Sequence, residues 1–152
     1  MKRKKLSKKE IKDLNELTQI YNHVFDKKAN IELVDDSYYF VDNELSFFLH
    51  DNTLLPTLKW QLRNGTCLPT ITVDQGAIKF VIKGADIMRP GITQITPDLE
   101  KESYVTIIDE NKSTPIAIGK MLLNSTDMQS ANSGKVVGSV HFFGDELWKM
   151  NL

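Results

Sequence analysis

The chain has 152 residues, of which 41% are hydrophobic and 26% charged, the balance of an ordinary globular protein rather than of a disordered or fibrous one. Its formal net charge is −1, so any contact with a polyanion has to be local. One cysteine, Cys67, closes neither an internal disulfide nor a multi-thiolate zinc site. That, the lack of any apolar run near the roughly 20 residues that span a bilayer, and the missing apolar h-region after the basic N-terminus lead to the expectation of a cytoplasmic protein without a membrane segment.

In chain order, Ser7-Lys8-Lys9-Glu10 has the pattern of a capping box. Ile11, Leu14, Leu17, Tyr21, Val24 and Phe25 then recur at helical spacing, predicting an amphipathic helix over 8–25. The basic run before it, Lys2 to Lys9, opposes the helix macrodipole and reads as a mobile, solvated arm, with nonspecific ribosomal RNA contact as the alternative. The β-rich runs 31–34, 38–41 and 44–49, separated by Asp35-Asp36-Ser37 and Asp42-Asn43, predict an antiparallel meander. Pro56 is expected to open a short helix with Leu58 and Leu62 on its apolar side and Gly65 at its end. An α+β unit thus ends near residue 66, and the extended Cys67-Leu68-Pro69-Thr70 segment sets the domain boundary: 1–68 and 69–152.

The second half begins with a strand at 71–73, a helix over 76–83 capped by Asp74 and stopped at Gly84, and a short strand Ile87-Met88 before the Pro90-Gly91 turn. The stretch 93–103 reads as loop. Strands follow at 104–108, 116–122 and 136–143, the first two joined by a hairpin turn at Glu110-Asn111-Lys112, and Ser125 is expected to cap a short helix through Gln129. So many short strands in about 80 residues suggest a small closed or nearly closed barrel, which removes exposed edges.

The run Val73-Asp74-Gln75-Gly76-Ala77-Ile78-Lys79-Phe80-Val81-Ile82-Lys83-Gly84-Ala85-Asp86-Ile87-Met88-Arg89-Pro90-Gly91-Ile92 resembles the opening of PUA domains. Pro115 to Lys120, Ser125 to Met128 and Gly134 to His141 resemble later parts of the same domain, so the likeness covers 69 to about 150. Upstream, Asn43 to Phe48 followed by Leu55 to Leu58 is similar to the domain that precedes the PUA module in the malignant T-cell amplified sequence and ligatin family of translation factors. The resemblance implies a six-stranded PUA pseudobarrel behind an α+β domain. It further implies contacts with transfer RNA and the small ribosomal subunit, and a protein partner through the N-terminal domain. The basic arm departs from the eukaryotic pattern.

On that resemblance RNA lies across the first PUA helix, the following bend and the strand it feeds, which here means Lys79, Lys83, Gly84, Ala85, Arg89 and Gly91. The chemistry fits, because small residues let RNA approach main-chain amides, lysines four apart on a helix reach adjacent phosphates, and arginine offers a planar donor fork. His141 is a candidate for hydrogen bonding to an unpaired RNA end, whereas Phe143 and Trp148 read as packing residues. The three histidines, His23, His50 and His141, are scattered and none neighbours Cys67 in a nucleophile pattern. With no phosphate loop, HExxH or paired CxxC either, no enzyme activity, metal or cofactor is expected. The function expected is noncatalytic binding of structured RNA, such as the acceptor end of transfer RNA at the small ribosomal subunit. The alternative is an accessory subunit that presents RNA to a modification enzyme.

Overall fold

Helix α1 (Lys8–Thr18) begins where the capping box puts it: the Ser7 hydroxyl accepts the Glu10 amide at 3.2 Å and the Glu10 carboxylate accepts the Ser7 amide at 3.0 Å. It stops seven residues short of the expected end. A 3₁₀ turn, Gln19–Tyr21, leads to Asn22 at φ 58°, and the Thr18 hydroxyl donates to the His23 carbonyl at 2.8 Å, closing the helix with a reversal. Tyr21 and Phe25 are buried, while Leu17 and Val24, which the helical spacing placed on the same stripe, are exposed.

The basic arm is not a mobile tail: Arg3–Lys5 form an edge strand, and Lys8 and Lys9 open α1. β1 (Arg3–Lys5) pairs antiparallel with β2 (Ile31–Val34), and Lys2 meets Asp36 at 3.2 Å, Arg3 meets Glu32 at 2.9 Å, and Lys4 meets Glu10. Two of these carboxylates lie some thirty residues away, so nothing local in the sequence reveals the pairing. β3 (Tyr38–Val41), β4 (Glu44–His50) and β5 (Thr53–Pro56) complete a five-stranded sheet in the order β1-β2-β3-β4-β5. Asp42-Asn43 and Asp51-Asn52 close the last two hairpins with both residues at positive φ, the backbone that a two-residue turn needs to match strand twist. Pro56 therefore ends a strand, and Thr57 caps the helix that follows, α2 (Leu58–Asn64), by accepting the Trp60 amide at 3.2 Å. Leu58 and Trp60 are buried and Leu62 is exposed.

The computed structural model describes residues 1–152, which divide into two units: Met1–Cys67 with Lys149–Leu152, and Leu68–Trp148. The last four residues, grouped with the second half on sequence grounds, return to the first unit, where Asn151 bridges Glu44. No helix is long and apolar enough to cross a membrane.

The second unit contains β6 (Thr70–Val73), α3 (Gln75–Val81), β7 (Ile87–Met88), β8 (Ile92–Ile95), β9 (Tyr104–Asp109), β10 (Pro115–Met121), α4 (Ser125–Ser130), β11 (Lys135–Phe142) and all but the last residue of α5 (Glu146–Lys149). Its six strands run in the order β7-β11-β10-β9-β6-β8, antiparallel except for β6 against β9. In a flat sheet the two edge strands would lie about 24 Å apart, five steps of about 4.8 Å. Yet β7 and β8 are joined by only the 3₁₀ turn Arg89–Gly91, and four residue steps reach at most about 14 Å. The sheet is therefore rolled up, a pseudobarrel. It is not closed by hydrogen bonds, because β7 and β8 do not pair; of the two forms expected, closed or nearly closed, it is the second.

Two local readings change as well. The supposed loop 93–103 contains most of β8, which pairs with β6 through Thr72 and Gln94. Asn124, not Ser125, caps α4 by accepting the Asp127 amide at 2.8 Å. Ser125 is instead buried and ties the preceding loop down, donating to the Thr96 carbonyl at 2.7 Å and accepting the Leu99 amide at 2.9 Å. Inside the roll Ile71, Val73, Ile107, Met121, Met128 and Val137 form the core.

β11 ends in a tight knot. The Asp145 carboxylate lies 2.9 Å from Nδ1 of His141 and accepts the amides of Phe142 at 2.9 Å and Trp148 at 2.8 Å. Burial alone would raise the Asp145 carboxyl, but these hydrogen bonds, led by that of His141, outweigh it and hold the group below its ordinary value. A carboxyl depressed in the folded state adds stability that is present above its unfolded value near 3.8 and is lost as pH falls through the folded value. Asp145→Asn is expected to lower stability near neutral pH and to flatten the acid limb of the stability–pH curve; urea melts over a pH series check both.

Gly84 sits at φ 91°, and a Cβ there would lie 2.8 Å from the Phe142 ring on β11. Gly84→Ala therefore combines left-handed backbone strain with a ring clash and is expected to cost about 1–3 kcal/mol in chemical denaturation. Wild-type stability in that variant would contradict the account.

Candidate nucleic-acid interface

Asp74 starts α3, its carboxylate accepting the Ala77 amide at 2.9 Å while its own amide donates to the Gly91 carbonyl at 2.9 Å. The same residue thus caps the helix and ties it to the turn before β8. The helix stops when the amides of Lys83 and Ala85 both turn back to the Phe80 carbonyl at 3.1 Å, with Gly84 supplying the bend. Gly91 then allows close approach to the helix, since a Cβ at this position would stand 3.0 Å from that of Ala77.

Between helix, bend and turn lies a groove of about 780 Å³. Ala77, Phe80 and Val81 form one wall, Met88, Pro90 and Gly91 the other, and Gly84 and Ala85 the end. Phe80 is 57% exposed and Met88 is 47% exposed, so two large apolar side chains are offered to solvent across one groove. Asp74, Asp86 and Lys135 supply the charged part of its lining. Lys135 stands 3.7 Å from Asp86, whose carboxylate also accepts the Ser139 amide at 2.8 Å.

The residues singled out from the sequence divide into three groups. Gly84, Ala85 and Gly91 line the groove. Lys79 and Lys83 are exposed near the end of α3 and have no ion pair; Lys79 Nζ lies 5.2 Å from the Phe80 ring centroid. Arg89 and His141 serve other ends. The Arg89 guanidinium is part-buried, with Nε donating to the Met128 carbonyl at 2.7 Å and Nη1 to the Ile92 carbonyl at 3.2 Å, so it clamps the 3₁₀ turn to α4 instead of presenting an open fork. His141 is 1% exposed and belongs to the Asp145 knot, which removes it from any RNA-facing surface. Phe143, read as core, is largely exposed and packs against Trp148 with ring centroids 4.5 Å apart.

Phe80, Met88 and Lys135 were missed. Phe80 had a signal, because it falls beside the inward stripe that Ala77 and Val81 make at a spacing of four. Lys135 had none: it comes to the groove through the pairing of β11 with β7, opposite Met88.

Residues 69–143 match the PUA domain model, and residues 2–64 match a domain of unknown function, DUF1947. The chain is 36% identical to Translation machinery-associated protein 20 of Saccharomyces cerevisiae, over 97% of this chain and 87% of the yeast protein. It is 34% identical to Malignant T-cell-amplified sequence 1 of Danio rerio, over 85% of this chain and 76% of the fish protein. Among solved structures, a PUA domain protein of Aeropyrum pernix K1 in complex with tartrate superposes with a TM-score of 0.80 at 27% identity, covering 97% of this chain and 89% of that one. The chain therefore belongs to the PUA-domain family that includes Translation machinery-associated protein 20 and Malignant T-cell-amplified sequence 1.

Proposed function

We propose that the protein is a noncatalytic, cytoplasmic RNA-binding factor of translation that receives an unpaired RNA end in the α3 groove. The observation that carries this reading is the pairing of exposed Phe80 and Met88 across a groove whose end is formed by the small residues Gly84 and Ala85, which leave room for a base between the two side chains. A splayed nucleotide stacks on an aromatic or apolar side chain in a sequence-tolerant way. Lys79, Lys83 and Lys135 stand around that platform as exposed cations and supply the phosphate contacts. The half of the chain that carries the groove, 69–152, holds 8 basic against 10 acidic residues, so the field outside it does not favour indiscriminate binding. That selects a shaped or terminal feature, of which the acceptor end of transfer RNA at the small ribosomal subunit is the one we favour. The names of the relatives, one of them a translation machinery-associated protein, support this setting. The N-terminal unit then serves contacts with ribosome or protein partner.

Filter binding with intact transfer RNA and with transcripts lacking the 3′ terminal nucleotides tests end recognition; equal affinity for both would remove it. Phe80→Ala is expected to weaken binding by about 1–3 kcal/mol through lost stacking, with an unchanged salt slope. Combined reversal of Lys79, Lys83 and Lys135 to Glu should instead lower the slope of log affinity against log salt by about 2. Arg89→Glu belongs to a different class: it breaks the clamp on the 3₁₀ turn, so its first effect is a lower unfolding midpoint.

A further inference from the structure

We infer that the N-terminal unit carries a second RNA-backbone contact, a cationic hollow on α1 formed by Lys8, Lys9, Lys12 and Lys27. The hollow, about 410 Å³, is floored by Ile11 and Phe25 and has no carboxylate in its lining. It is built rather than incidental. Asn15 clamps the Phe25 backbone on both sides, donating to its carbonyl at 2.9 Å and accepting its amide at 2.8 Å, which holds the turn carrying Lys27 beside the helix.

The neighbouring charges sharpen the contrast. Lys2, Arg3 and Lys4 are each neutralised by an acidic partner, whereas none of the four lysines of the hollow has one within 4 Å. Glu10 is taken by Lys4 and Asp26 accepts the Lys28 amide. Asp13 lies with Leu14 and Leu17 on another side of α1, and Glu16, one turn beyond Lys12, pairs with none of the four. Lys8 and Lys9 also occupy the first turn of α1, where the helix dipole is itself positive. Four unpaired cations at that end raise the energy of the free protein, and a dense polyanion relieves it.

A nucleic-acid backbone brings one charge per nucleotide, and lysines act on phosphate as point charges, with no need of the bidentate geometry that arginine gives to carboxylates. This favours RNA over an acidic protein segment and makes the contact independent of sequence. The inference rests on the reading of the protein as RNA-binding, but it concerns the other unit and residues the groove does not use.

The test uses the full chain with two probes, purified small-subunit ribosomal RNA and a short hairpin with an unpaired 3′ tail. Joint reversal of Lys8, Lys9, Lys12 and Lys27 to Glu is expected to lower affinity for the ribosomal RNA about tenfold or more and its salt slope by about 3, while the four-arginine version stays near wild type. If the joint variant does not melt cooperatively, Lys12→Glu and Lys27→Glu carry the test singly, each removing a slope of about 0.7–0.9. Unchanged affinity and slope, with wild type binding the ribosomal RNA, overturn the inference and leave the groove assignment standing. Displacement by poly-L-glutamate as effective per charge as by RNA overturns it too, in favour of an acidic protein partner. Reversal of Lys79, Lys83 and Lys135 that leaves hairpin binding intact counts against the groove alone.

Discussion

Three residues, Arg89–Gly91, join the two outermost strands of a six-stranded sheet, and that short tether shapes everything around it. It forces the sheet to roll, brings Met88 and Pro90 opposite α3, and leaves a groove where two flat surfaces would otherwise meet. Arg89 is the fastening, anchored to Met128 on one side and Ile92 on the other. The groove and the fold thus depend on one turn, so the most basic residue of the PUA-type run is structural.

Main-chain capping does similar double work at α3. Asp74 caps the helix and bonds to Gly91, and Gly84 leaves room for the Phe142 ring. These contacts set the width and the end of the groove before any side chain in it is chosen. Phe80 and Met88 are then free to face solvent, an arrangement unfavourable for an isolated protein and useful for one that stacks on a ligand. The two units differ in how they handle charge. In the first, part of the basic arm is absorbed into a sheet edge by Asp36, Glu32 and Glu10, and part stays unpaired over Ile11 and Phe25.

Elements with a local cause were legible from residue order. The capping box began α1, Asp42-Asn43 closed a hairpin, Asp74 capped α3, and Gly84 ended that segment, each because a side chain or glycine acts on backbone within a few residues. The PUA resemblance carried the order of elements beyond what periodicity offered. The strands were misread where a distant partner decided the outcome, and α1 where a local reversal overrode the helical spacing. α1 stopped at Thr18 because the chain reverses onto the His23 carbonyl, β8 formed because β6 offered an edge, and β1 formed because β2 did.

The sequence alone determined the type of each well-capped element, the local rather than global character of any anion binding, and the family pattern that points at α3. Tertiary structure alone decided which of the candidate residues line the groove. Gly84, Ala85 and Gly91 remain at the groove; Arg89 and His141 are drawn into hydrogen bonds with carbonyls and a carboxylate; Lys135 arrives from a strand fifty residues downstream of α3. The physical reason is that capping and turn preferences are set by short-range backbone chemistry. Whether a cation or an aromatic ring is free for a ligand depends on which acceptors and packing surfaces the folded chain brings within reach.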